Sequence, residues 1–255
     1  MNKQTKIILS IILAVLCLVT AVLVYGRAHR YRELPFGGMN GRVQKVTVYN
    51  LWPEMWFAGE KGTDVRLINT SVYDIDGHEI CSALMDSAGR IITEAESMFK
   101  NGVCVRSTQK SGGEVIARIT LSSHNKGVYE YNKETGGKLI RMTVKENTGW
   151  FSHKSVVTED GNVTTISMIH TNRKGYPVKI TVTEPQTGQE TVETNIFDDN
   201  NNIIEKHVAV KGEKKEEVTY TEYFDYDEYG NWREARTYTV AHLPVDVLVR
   251  EIEYW

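Results

Sequence analysis

A short turn signature recurs along this chain. It is an aspartate or asparagine, two or three mostly polar residues, then glycine or asparagine, with β-branched and aromatic residues on either side. Glycine accepts the positive φ of a tight hairpin turn, and asparagine is the next best residue there. An Asp or Asn side chain accepts a bond from the backbone N–H two residues on and so fixes the turn. Gly161, Gly175, Gly188 and Asn201 mark successive turns separated by 14, 13 and 13 residues. That spacing holds one strand of about eight residues plus a turn. The chain is thus constrained to antiparallel hairpins laid side by side.

The fullest copies are Tyr226-Asp227-Glu228-Tyr229-Gly230-Asn231-Trp232 and Tyr73-Asp74-Ile75-Asp76-Gly77. Asp86-Ser87-Ala88-Gly89 and Asp160-Gly161 are shorter copies. Asn172-Arg173-Lys174-Gly175 and Asp198-Asp199-Asn200-Asn201 follow the same logic. The unit resembles the YD repeats of RHS-type bacterial proteins, which run approximately Tyr-Asp-x-x-Gly, then Arg or Asn, then an apolar residue. The resemblance touches residues 70–240. It implies hairpin architecture and a bacterial envelope setting, and no activity.

Thr, Val, Ile and Tyr dominate after residue 40, and long helical periodicity is missing. The expected fold class is all-β: an antiparallel meander of repeated hairpins, as a sandwich or strongly curved sheet, preceded by one N-terminal transmembrane helix. A flat single layer would leave too much apolar surface wet. The choice between closed barrel and open sheet stays open. Expected strands include Val43–Leu51, Glu114–Ser122, Lys138–Val144, Val163–His170, Glu190–Phe197, Glu217–Tyr226 and Val245–Trp255. Residues 90–100 read as strand, with a short helix as the alternative.

Residues 1–32 differ in kind. Lys3 and Lys6 precede an uncharged run from Ile7 to Tyr25, whose 19 residues would span about 28 Å as a helix. The run is long for a cleaved signal peptide, and no A-x-A site follows it. Cys17 lies inside the run after Leu16, a poor context for lipidation. The division is therefore 1–32 cytoplasmic tail, anchor and basic flank, 33–42 linker, and 43–255 extracytoplasmic β domain. The expected localisation is a single-pass membrane protein with its C-terminal domain in the periplasm or at the cell surface. Partners are the bilayer through residues 7–25 and an unidentified protein or glycan. The net charge of −3 gives no nucleic-acid footprint.

No motif for chemistry emerges. The seven histidines form no H-x-x-H or H-E-x-x-H pattern, and no C-x-x-C is present. Nucleophile elbows and phosphate-binding glycine loops are missing too. Asp74-Ile75-Asp76-Gly77 and Asp225 to Gly230 echo a calcium loop but lack its later ligands, and Asx turns account for them. No enzyme activity and no cofactor are expected. The expected function is binding or scaffolding at the envelope. Two other readings stay open: an immunity or accessory protein for an RHS-type toxin, and a hydrolase using a carboxylate pair.

The candidate binding surface is aromatic: Trp52, Trp56 and Phe57 around Pro53, with Trp150 and Phe151. The alternative is that the Trp52–Phe57 group plugs one end of the sheet. Asp74, Gly77, Gly89, Gly161, Gly175, Asn201, Asp227 and Gly230 are assigned to turns. Cys81 and Cys104 are expected free, since a meander puts one strand between them and a separation near 10 Å exceeds disulfide reach.

Overall fold

A computed structural model describes residues 38–57 and 65–255. The expected anchor over residues 7–25 and the first half of the 33–42 linker lie outside the described residues. Among the described residues no helix is long and apolar enough to cross a membrane.

Sixteen strands follow one another: β1 Val43–Leu51, β2 Val65–Tyr73, β3 Glu79–Asp86, β4 Ile91–Lys100, β5 Val103–Ser111, β6 Glu114–Asn125, β7 Val128–Thr135 and β8 Lys138–Thr148. Then come β9 Ser152–Glu159, β10 Asn162–Thr171, β11 Pro177–Glu184, β12 Gln189–Phe197, β13 Ile203–Val210, β14 Glu217–Tyr226, β15 Trp232–Thr239 and β16 Pro244–Tyr254. One five-residue helix, α1 (Pro53–Phe57), follows β1. Residues 91–100 are strand.

Each strand pairs antiparallel with its neighbours in sequence, and β16 pairs with β1 to close a barrel. The sandwich or curved sheet expected from the sequence is corrected to this closed form. An open meander would leave β1 and β16 as unpaired edges. Here Val46 faces Ile252 and Asn50 faces Leu248 across the seam. The Lys45 ammonium donates to Glu253 Oε1 at 2.8 Å, the Tyr49 hydroxyl to Glu251 at 3.1 Å, and the Trp255 amide to the Arg42 carbonyl at 3.0 Å. With strands about 4.8 Å apart and tilted about 40°, sixteen of them enclose a ring roughly 30 Å across.

Pairing register sorts side chains onto two faces. One carries Val48, Asn69, Leu84, Thr93, Gln109, Ala117, Tyr131, Met142, Val157, Ile169, Ile180, Glu193, Lys206, Tyr223, Ala235 and Arg250. Ile169, Ile180, Tyr223 and Arg250 of this face line one cavity together, so it is the lumen. In β7 the lumen residues Tyr129, Tyr131 and Lys133 are half-buried, while Glu130, Asn132 and Glu134 on the other face are exposed.

The lumen has two kinds of wall. From β2 to β5 it presents Asn69, Ser71, Ser82, Thr93, Ser97 and Gln109. From β6 to β11 it presents Ile119, Leu121, Ile140, Met142, Val144, Ile169 and Ile180, together with the Lys133–Glu159 ion pair, Ser155 and Ser167.

The turns alternate between two rims. Two-residue turns with positive φ at both positions, such as Asn101–Gly102 at 52° and 73°, join the tightest hairpins. The longer Asx turns at 74–78, 172–176, 198–202 and 227–231 all fall on one rim, and the chain enters β1 there. This rim is the mouth of the candidate site.

Cys81 lies on the outer face of β3 and Cys104 on the lumen face of β5. Both are free and half-buried, and facing opposite sides of the sheet they could not pair.

Candidate functional site

The mouth is built from the recurring turns. In the 227–231 turn, Asp227 Oδ1 accepts from the Tyr229 and Asn231 amides at 3.0 and 2.9 Å. Asp74 does the same for Asp76 and His78, and Asn172 for Lys174 and Tyr176. Asp86 forms the same turn on the opposite rim, where Gly161 also lies. Gly77, Gly89, Gly175, Asn201 and Gly230 occupy the positive-φ positions assigned to them, at 90°, 77°, 94°, 65° and 79°.

Residues 38–42 cross this mouth. The Tyr176 hydroxyl donates to the Gly38 carbonyl at 3.4 Å. Asn40 and Asn231 bond reciprocally, amide to Oδ1 and Nδ2 to carbonyl, both at 2.8 Å. Asn231 Nδ2 also reaches the Tyr254 hydroxyl at 2.8 Å, and that hydroxyl donates a short bond to Asp227 Oδ2. Burial works to raise the Asp227 carboxyl, but the Tyr254 hydroxyl and the two turn amides outweigh it and hold the group below its ordinary value. The same burial and bond push Tyr254 up to about 12.

Beneath this network lies a cavity of about 510 Å³. Ile169, Ile180, Phe197 and Ile203 form its apolar side, and Asn200, Asn201 and Asn202 stand at its rim. Among the described residues Arg250 is the only charged side chain lining it. The guanidinium sits 3.7 Å from the centre of the Trp232 ring, and its Nε donates a short bond to the Trp232 carbonyl. Tyr223 packs against Trp232 at 5.3 Å and donates to the Ile203 carbonyl at 2.8 Å. Among the described residues no carboxylate forms an ion pair with Arg250. Burial draws its pKa down to about 10, only partly opposed by Asp227 and Tyr254. It therefore stays charged at neutral pH. A half-satisfied guanidinium beside open space is an anion receptor in waiting.

The aromatic residues singled out from the sequence are not one surface. Trp52, Trp56 and Phe57 belong to α1 and its approach on the far rim, where Phe57 lies 6.1 Å from Tyr238 and Arg66 stacks 5.0 Å over Trp52. α1 packs on β16, and Leu51 and Val247 are buried there. Trp150 and Phe151 sit in the β8–β9 turn on the mouth rim, Trp150 being 46% exposed. None of the five lines the larger cavity.

Sequence reasoning missed Arg250, Trp232 and Tyr223 as a group. They lie on three successive strands, and only their shared lumen face unites them. The alternation of β16 (Asp246, Leu248, Arg250, Ile252) carried the one available signal: an arginine in an otherwise mostly apolar row.

Asp74, Asp76 and His78 bring three donor atoms within 4.8 Å of one another. Asp74 is already committed there, accepting from two amides and lying 3.0 Å from the His78 ring nitrogen. Among the described residues no carboxylate lines the larger cavity, so a paired-carboxylate hydrolase finds no support in it.

No protein-family model and no curated protein matches the sequence. Among solved structures, a porin-like protein from Bacteroides uniformis superposes with a TM-score of 0.50 at 10% identity, covering 84% of this chain and 99% of that one. The barrel is porin-like in its fold. A porin-like protein from Bacteroides vulgatus gives a TM-score of 0.48 at 11% identity, covering 84% of this chain and 98% of that one. This corrects the resemblance to YD repeats. The barrel closes on itself, its fold is like that of the porin-like protein from Bacteroides uniformis, and the recurrent turns are Asx turns open to any hairpin protein. The toxin-accessory reading falls with that resemblance.

Proposed function

We propose that the chain is an envelope protein whose barrel stands in water, tethered to a membrane through residues 7–25, and holds a small amphipathic ligand in its lumen. The reading rests on the contrast between the two faces of the sheet. The outer face carries Arg106, Arg118, Arg141, Lys154 and Lys179 well inside their strands, together with Glu94, Glu222 and Glu251. Lysine or arginine on the lipid face of a barrel costs about 2–4 kcal/mol near the bilayer midplane. Summed over these strands, that rivals the whole stability of a domain. Water is the solvent such a face suits. The lumen offers a more polar arc beside a more apolar one, which suits a ligand with both kinds of surface.

The porin-like fold favours a second reading, a lipid-embedded pore. Cysteine labelling decides between them. Thr108→Cys and Thr143→Cys, on the outer face of β5 and β8, are placed in the full chain after Cys17, Cys81 and Cys104 are changed to serine. In opened membranes both react with a charged, membrane-impermeant maleimide if the barrel stands in water. Protection until detergent is added would overturn the reading in favour of the pore. A reporter fused after Trp255 decides the side of the membrane.

A further inference from the structure

We infer that the mouth cavity binds a monocarboxylate carried on an apolar, preferably aromatic, stem, with the Arg250 guanidinium receiving the carboxylate. The inference rests on the lumen-binding reading and names its ligand class. Three observations carry it. First, Arg250 is the only charged group among the described residues that line the cavity, so a single negative charge is balanced and a dianion is not. Second, Nε is used by the Trp232 carbonyl and the ring of Trp232 covers one guanidinium face. The terminal nitrogens are left as the fork, and a planar carboxylate matches a fork better than a point charge. Third, Ile169, Ile180 and Phe197 line the same cavity, and about 510 Å³ is ample for a phenyl ring and a short chain.

Asp227 does not substitute for the ligand. Its oxygens are held by Tyr254 and by the Tyr229 and Asn231 amides. Asn200 and Asn202 stand at the entrance without adding charge, and the Asn202 carboxamide is held there by Asp198 and Tyr226.

The test uses the full chain in nanodiscs of zwitterionic lipid, with binding read by titration calorimetry. The probes are 4-phenylbutyrate, its neutral counterpart 4-phenylbutanamide, and acetate. The expected result is one 4-phenylbutyrate per chain, bound about tenfold or more tighter than either control, the scale of one charge-assisted bond. Arg250→Gln removes the preference for the acid over the amide. Because Arg250 also holds the Trp232 carbonyl, a second variant guards against misfolding: Asn200→Asp sets a negative charge at the entrance, on an exposed residue, and weakens the acid several-fold while sparing the amide. Equal binding of acid and amide by the unaltered protein, or an acid preference that survives Arg250→Gln, overturns the inference. Failure of both phenyl probes to bind overturns it as well, while labelling of the outer face in water leaves the water-surrounded barrel standing.

Discussion

The Asp227 carboxylate accepts three hydrogen bonds, from the Tyr229 and Asn231 amides and the Tyr254 hydroxyl. Asp227→Ala is therefore expected to destabilise the barrel by about 1–3 kcal/mol, the cost of stranding bonded partners, measured by denaturant unfolding. Its depressed carboxyl gives the sign of the acid response. Stability is present above the ordinary carboxylate value and is lost as pH falls through the lower folded value. His207 works the other way. Its ring lies 2.7 Å from Glu205 and 3.3 Å from Glu216, and the Glu205 bond is the first cause of its raised pKa. That contribution is present below about 6.5, the ordinary histidine value, and fades as pH rises through the folded one. Thermal unfolding midpoints across that window should flatten in His207→Gln; an unchanged slope would assign the dependence elsewhere. Turn residues such as Asp227 and Gly230 were legible in the sequence because their chemistry is local. Arg250 was not, since its meaning lies in Trp232 and Tyr223 on neighbouring strands.

At the scale of the element, hairpins were predictable nearly to their ends. Glu190–Phe197 is Gln189–Phe197 in the structure, and Glu217–Tyr226 agrees at both ends. Alternation and turn residues within about a dozen positions determine such a unit. Gly127 shows how tight one can be: it sits at φ 78°, and a Cβ there would meet the Glu146 carbonyl oxygen at 2.9 Å. Gly127→Val should cost about 1–3 kcal/mol through backbone strain and loosen the β6–β7 hairpin, seen as faster amide exchange in Tyr129 and Tyr131. The seam was illegible for the opposite reason. Val46 and Ile252 are far apart in sequence, and nothing near either residue announces the other. Pro is tolerated at Pro244, the first residue of β16. Val48→Pro, in the middle of β1, should break the seam and expose two edges, giving concentration-dependent oligomers on size exclusion; a monomer of unchanged size would argue against that.

For the whole molecule, the two cysteines among the described residues report which side is which. Cys81 faces outward and Cys104 faces the lumen, and burial raises both thiols. A bulky polymer-linked maleimide should modify Cys81 before Cys104, while a small one narrows the gap; the reverse order would invert the assignment of faces. The closure itself has a mechanical meaning. β1 and β16 are antiparallel, and residues 43 and 254 lie at the same end of the seam. Force applied between the two chain ends therefore falls on one rung of the ladder at a time, as on a zip fastener, instead of on all rungs together. In a single-molecule pulling experiment the barrel should open at its seam under low load and then pay out hairpin by hairpin. A protein held at the chain end that leads into β1, and burdened at the other, would yield at that joint first.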